Sequence, residues 1–334
     1  MGEMMQPNET QLALIDGWQR DFPLDPTPYA RIAISLGLSE LSVLGMLREL
    51  ARTGILSRVG AVVAPNTAGA STLAAMAVPP TRLEEIARVV NAEPGVNHNY
   101  EREHRFNLWF VVTGKNRHAV DNAILRIEKR TGLDVLDLPL RAAYHIDLGF
   151  PVANGSPVRA ARKPNGACAN GYRNRSLSVC DDDRTLLQAL EDGLPVVPRP
   201  YAEIANRIGW GEDRVIERLG ALVDRGVIKR LGLIVRHREL GYTANAMVVW
   251  DIANEQVACV GERFAQQPFV TLCYRRDRHR PHWPYNLFCM IHGRDRDTVQ
   301  GQIEELRAQA ENPPMDVLFS RRRFKQRGAR LSAA

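Results

Sequence analysis

The sequence predicts an α+β protein built as a tandem duplication, each half a winged helix-turn-helix followed by a ferredoxin-like βαββαβ domain. The first observation is a repeat. TPYARIA from Thr27 and RPYAEIA from Arg199 align at a shift of 172 residues, and fourteen positions of 28–63 meet their own kind in 200–235 without a gap. A match that dense marks one unit used twice. The second is helical spacing of apolar residues before residue 55, and the third is alternation of strand-like and helix-like segments after residue 64.

In order along half one, Leu12, Leu14, Ile15 and Trp18 share a helical face. Pro28 suits the first turn of a second helix, and Val43, Leu44, Leu47 and Leu50 line a third that Gly54 stops. Residues 55–63 read as a β-ribbon, completing the winged helix-turn-helix. Then come strand 71–78, helix 83–91, strands 96–102 and 107–113, helix 119–130 and strand 134–140, the split βαβ plan. Half two repeats it: Gly69 meets Gly241 at the same shift, Pro94 and Tyr100 meet Pro268 and Tyr274 at 174, and Asn107-Leu108 meets Asn286-Leu287 at 179. The second hairpin connection is therefore five residues longer. The expected boundaries are 10–64 and 180–236 for the helix-turn-helix parts, 65–150 and 237–334 for the ferredoxin-like parts, and 151–179 for a linker.

Composition narrows the class. At 334 residues and 45% hydrophobic the chain can bury several cores, and no apolar run reaches the roughly 18–20 residues that a membrane span needs. The first residues lack a positive region followed by an apolar one, so a cytoplasmic protein with no membrane partner is expected. Five cysteines without a CxxC pair disfavour a disulfide framework or a structural zinc site. A net charge of +6 invites a nucleic-acid reading. Much of the excess, however, sits in 151–179, which has no acid and reads as a solvated tether.

The chemistry is expected in 95–113 and 269–293, each a strand, a polar connection and a second strand. His98, His104, His279 and His282 crowd into these two short stretches with Arg, Tyr and Trp.

The pattern VxxRxxxLxxxGxI at Val215, Arg218, Leu222, Gly226 and Ile228 resembles the Lrp/AsnC architecture. HNYEREHRFNLWF at His98, CYRRDRHRPHWPYNLFCMIHGRDR at Cys273, YHIDLGF at Tyr144 and RRFKQRGAR at Arg322 resemble the siroheme decarboxylases, in the single-chain form that fuses two Lrp/AsnC-like subunits. The resemblance implies removal of carbon dioxide from the C12 and C18 acetates of siroheme, giving 12,18-didecarboxysiroheme on the route to heme d1 of denitrification. It also implies an internal pseudo-dimer of the halves. Assembly into a homo-oligomer and contact with neighbouring heme d1 pathway enzymes would follow from the same resemblance.

That substrate is a flat iron tetrapyrrole fringed with carboxylates, which calls for guanidinium donors around an apolar slot. Candidate binding residues are Arg102, His104, Arg105, Arg275, Arg276 and His282, with ring faces from Trp109, Tyr274, Trp283 and Tyr285. Arg58 and Arg230 occupy matching ribbon positions and either reach a ligand or only decorate the wing. Losing carbon dioxide builds negative charge beside the ring, so a proton donor is needed. His98 or His145 would supply it, with Tyr100 as a supporting donor. No organic cofactor is expected, because the macrocycle itself delocalises electrons. No metal is expected from the protein alone, although an imidazole can also ligate the substrate iron axially.

Each assignment has a plainer counterpart. Trp109 fits a strand core equally well, His145 a satisfied core histidine, His118 a solvated helix start, and His292 a structural role. Half one has His98-Asn99 where half two has Leu272-Cys273, pointing to one reactive pocket in half one. The insertion with His279 and His282 points equally to half two.

The competing function is an Lrp/AsnC-type DNA-binding regulator, including a heme-sensing one. Against it, the recognition helices open with Ser39-Glu40 and Gly211-Glu212-Asp213, placing acid where phosphates approach. Arg48 and Arg52 leave weak DNA binding in play.

Overall fold

A computed structural model describes residues 7–147, 149, 150, 152 and 179–328; nearly all of the expected linker lies outside them. The described chain divides into two units. One holds 7–67, 149, 150, 152 and 179–241, the other 68–147 and 242–328.

The first unit contains both helix-turn-helix segments. Asn8 caps α1 (Glu9–Trp18) reciprocally with Gln11, Pro28 starts α2 (Pro28–Leu36), and Ser39 caps α3 (Glu40–Arg52). Gly37 ends α2 at φ 66°, in the left-handed region that favours glycine. Their apolar faces bury Leu14, Ile15, Tyr29, Ile32, Val43, Leu47 and Leu50. Half two answers with α6 (Asp181–Ala189), α7 (Pro200–Ile208) and α8 (Glu212–Asp224). The ribbon differs from expectation. Each half contributes one strand, β1 (Leu56–Val63) or β6 (Ile228–Val235), and the two pair antiparallel with Gly60 opposite Gly232. With no second strand of its own, each strand satisfies its backbone on its copy.

The second unit is a closed eight-stranded barrel. Half one supplies β2 (Ala70–Met76), β3 (Val96–Arg102), β4 (Leu108–Gly114) and β5 (Leu136–Ile146); half two supplies β7 (Ala244–Trp250), β8 (Val270–Arg276), β9 (Leu287–Gly293) and β10 (Met315–Gln326). Around the ring the order is β10-β3-β4-β2-β5-β8-β9-β7. Four helices pack outside it: α4 (Leu83–Ala92), α5 (Arg117–Thr131), α9 (Val257–Ala265) and α10 (Arg296–Gln309).

Closure depends on the fourth strand of each half. Residues 136–139 of β5 pair with β2, then 140–146 pair with β8 of the other half. In the same way β10 pairs with β7 up to Phe319 and with β3 from Ser320 onward. The strand expected at 134–140 therefore runs on to Ile146, because its second part finds a partner only in the duplicated copy. Matching irregularities, at 140/142 and 143/145 in one strand and 320/322 and 323/325 in the other, keep the halves in pseudo-two-fold register.

No single helix among the described residues is long and apolar enough to cross a membrane.

Candidate functional site

The pairings make β3 and β8 run in the same direction, four places apart in the ring. Both hairpin connections therefore lie at one end of the barrel. The opposite end is formed by the starts of β3 and β8 and the tails of β10 and β5.

The connection end is packed solid. Trp283 is 0% and Trp109 2% exposed, with ring centroids 5.2 Å apart. Phe106, Tyr285, Phe288 and the His104 imidazole surround Trp283 within 6.0 Å. Trp109 Nε1 donates to Phe106 O at 2.6 Å. His104 Nε2 meets Asp316 Oδ2 at 3.1 Å, and this hydrogen bond holds the Asp316 carboxyl below the ordinary carboxylate range. Arg105 donates to the His282 carbonyl and lies over the Phe106 ring. Arg278 and Arg280 both pair with Asp251. His282 is exposed and Tyr285 half-buried. The histidines of the two connections thus form no single cluster. A fully buried indole has no free face, so Trp109 and Trp283 are barrel core here, a correction to the slot expected from sequence.

Strand alternation sorts the rest. Asn99 donates to Asn91 Oδ1 on α4 at 2.9 Å and so faces outward, which turns His98, Tyr100 and Arg102 inward. Tyr274 packs in the inner cluster and Cys273 in the outer one, so Arg276 faces in and Arg275 out. Arg102 Nη1 donates to Leu318 O at 3.0 Å and Arg276 Nη1 to Leu138 O at 2.5 Å. Burial brings the Arg276 guanidinium down to about 10 and pushes the Tyr274 hydroxyl up.

At the open end, His98 Nδ1 lies 3.2 Å from Asn97 Oδ1, and the His98 and Tyr100 rings are 6.4 Å apart. Across the strand pair, Tyr100 is opposite Arg323 and His98 opposite Gln326, and partners in a ladder share a face. Arg323 Nη1 donates to Gln326 Oε1 at 3.1 Å. Sequence reasoning passed over these two. Their motif was visible, but which of its arginines face inward depends on irregularities in β10 that no periodicity reveals. His145 sits opposite Cys273, three strands from β3, at the register position that Lys325 takes in the other half. The structure does not bring it beside His98.

Arg58 and Arg230 belong to the other unit, on β1 and β6. Burial holds the Arg58 guanidinium below its ordinary value, with Asp192 opposing. On α8, Arg218 and Arg225 both bond to Asp183, at 2.6 and 3.1 Å, and Arg214 bonds to Asp182 at 2.7 Å. The basic side chains a DNA reader would present are thus engaged in ion pairs.

Comparison with known proteins follows the same outline. Residues 68–145 and 239–325 match the family described as AsnC-like ligand binding domain, and 12–56 and 183–229 match the siroheme decarboxylase NirDL-like HTH domain. The siroheme decarboxylase NirDL subunit of Paracoccus denitrificans is 45% identical over 98% of this chain and 99% of its own length. The siroheme decarboxylase of Hydrogenobacter thermophilus is 32% identical over 92% of this chain and 90% of its own. A crystal structure of the siroheme decarboxylase NirDL in co-complex with an iron-uroporphyrin III analogue superposes with a TM-score of 0.66 at 27% identity, covering 97% of this chain and 93% of that one. The chain belongs to the siroheme decarboxylase family, in the form that carries two related subunits on one polypeptide.

Proposed function

We propose that the chain is a carboxy-lyase acting on siroheme, converting the C12 and C18 acetates to methyl groups and releasing two carbon dioxide molecules, in heme d1 biosynthesis. The observation that carries this reading is full-length membership of the family together with an open barrel end that places an imidazole, a phenol and a guanidinium on one inner face.

Each step balances simply. The bond between the methylene and the carboxylate breaks, its electron pair passes into the ring system, carbon dioxide leaves, and one proton adds to the methylene carbon. His98 is the proton donor in this reading. Asn97 Oδ1 accepts a hydrogen bond, so Nδ1 carries a hydrogen and Nε2 is the nitrogen that exchanges its proton with substrate. Tyr100 is the next group along the same face. The macrocycle is substrate and electron sink together, so no further organic cofactor is required. The barrel unit works as an internal pseudo-dimer, and a cytoplasmic setting suits a tetrapyrrole pathway.

Anaerobic incubation with siroheme, followed by mass analysis, tests the assignment. Loss of two carbon dioxide units is expected. An unchanged tetrapyrrole together with a salt-sensitive shift of promoter DNA would overturn it in favour of a regulator.

A further inference from the structure

The open end of the barrel is built twice but furnished once. Ladder partners define two equivalent sets around the pseudo-two-fold. One wall has His98 opposite Gln326 and Tyr100 opposite Arg323, while the other has Leu272 opposite Ile146 and Tyr274 opposite Ala143. The arginines one step deeper, Arg102 and Arg276, are the same in both. Only the tyrosine and the deep arginine are shared. Where one wall carries an imidazole, a guanidinium and an amide, its copy carries three aliphatic side chains, all half-buried.

Resting on the activity proposed above, we propose that the wall of β3 and β10 is the reactive one, that Arg323 clamps a carboxylate of the macrocycle that does not react, and that Gln326 holds Arg323 in place. The aliphatic wall of β5 and β8 meets the apolar rim of the ring. The choice of a spectator carboxylate follows from the chemistry. An ion pair to the leaving carboxylate stabilises the ground state more than the transition state, whose charge has moved onto carbon, and would slow the reaction. An arginine near the proton donor is useful only if it orients the ring through a neighbouring acid. Both acetates must then present themselves in turn to His98, because the second wall has no donor at the corresponding position.

The test uses the full chain, anaerobic siroheme turnover and three single variants. Arg323→Ala should raise KM roughly 10- to 100-fold, the value of one charge-assisted contact, with kcat within about threefold. Arg323→Lys should recover part of that KM. Arg321→Ala removes the same charge from the neighbouring residue, which pairs with Glu101 and Glu103, and should change KM by less than about twofold. Should Arg323→Ala fail to fold, Arg323→Gln serves, with the same expected rise in KM. Wild-type KM in the Arg323 variant, or an equal rise in both variants, overturns the clamp while leaving the activity intact. A wild-type chain that leaves siroheme unchanged overturns the activity, and this inference with it.

Discussion

Arg102 and Arg276 hold equivalent places in the two halves, and each donates to the strand that crosses over from its own sheet to the other. Arg102 of half one meets the carbonyl of Leu318 in β10, and Arg276 of half two meets that of Leu138 in β5. Both acceptors lie just before the point where the strand changes partners. The two guanidiniums therefore act as closures of the barrel before they act on any ligand.

Arg102→Ala should accordingly lower unfolding free energy by roughly 1–3 kcal/mol, since it leaves a buried carbonyl without its donor. The matching Arg276→Ala should cost less. Burial already disfavours the charged form of Arg276, and its removal recovers part of that desolvation. Urea midpoints measure both, and a midpoint unchanged in Arg102→Ala would show that the crossing is held by its ladder alone.

A second prediction concerns Asp183, which is 1% exposed and takes hydrogen bonds from Arg218, Arg225 and the Cys180 backbone. Burial pushes its carboxyl up, but these partners outweigh burial and hold it below the ordinary range. A depressed carboxylate contributes stability above its unfolded value, near pH 4, and loses it as pH falls through the folded one. Asp183→Asn should be about 1–3 kcal/mol less stable at pH 7, and its deficit should vanish in acid. The lower end applies because both arginines are a third or more exposed and can rehydrate. Parallel curves for the two proteins across the acid limb would contradict this.

The repeat made much of the architecture readable in advance. Gly37 and Gly209, Pro28 and Pro200, Tyr29 and Tyr201 fall where the helix ends and cores need them. What the sequence could not show was which partner each strand takes. A lone β1 strand and an overlong β5 are satisfied only by the other copy, and a 172-residue repeat looks the same whether its halves fold apart or exchange strands. The site suffered from the same blindness. His98 and Tyr100 could be found because β3 alternates simply, whereas Arg323 and Gln326 sit beyond a register shift that inverts the expected face. The long hairpin connection misled in the opposite sense: its histidines and tryptophan stood out by composition, yet the longer loop serves to fold Trp283 back over Trp109.

That role makes a third prediction. Trp283→Ala should destabilise the chain by roughly 3–5 kcal/mol, the usual cost of emptying a large aromatic site. Siroheme affinity in the folded fraction should move less than about threefold, because the ring lies at the closed end. Differential scanning calorimetry reads the first quantity and absorbance titration the second. An affinity loss of tenfold or more with little change in melting would return Trp283 to the ligand.

The last prediction separates the donor from the cradle. His98→Gln keeps a polar group opposite Gln326 but removes the only imidazole on the inner face formed by β3 and the tail of β10. Turnover should fall by about 10²- to 10⁴-fold, the range for losing a positioned acid, while the tetrapyrrole Kd stays within a few-fold. Tyr100→Phe keeps the ring and loses the hydroxyl, so its effect on kcat should be smaller. Single-turnover traces under anaerobic conditions resolve the two. If His98→Gln decarboxylates at the native rate, the proton comes from elsewhere, and the difference between the two walls must be explained by binding alone.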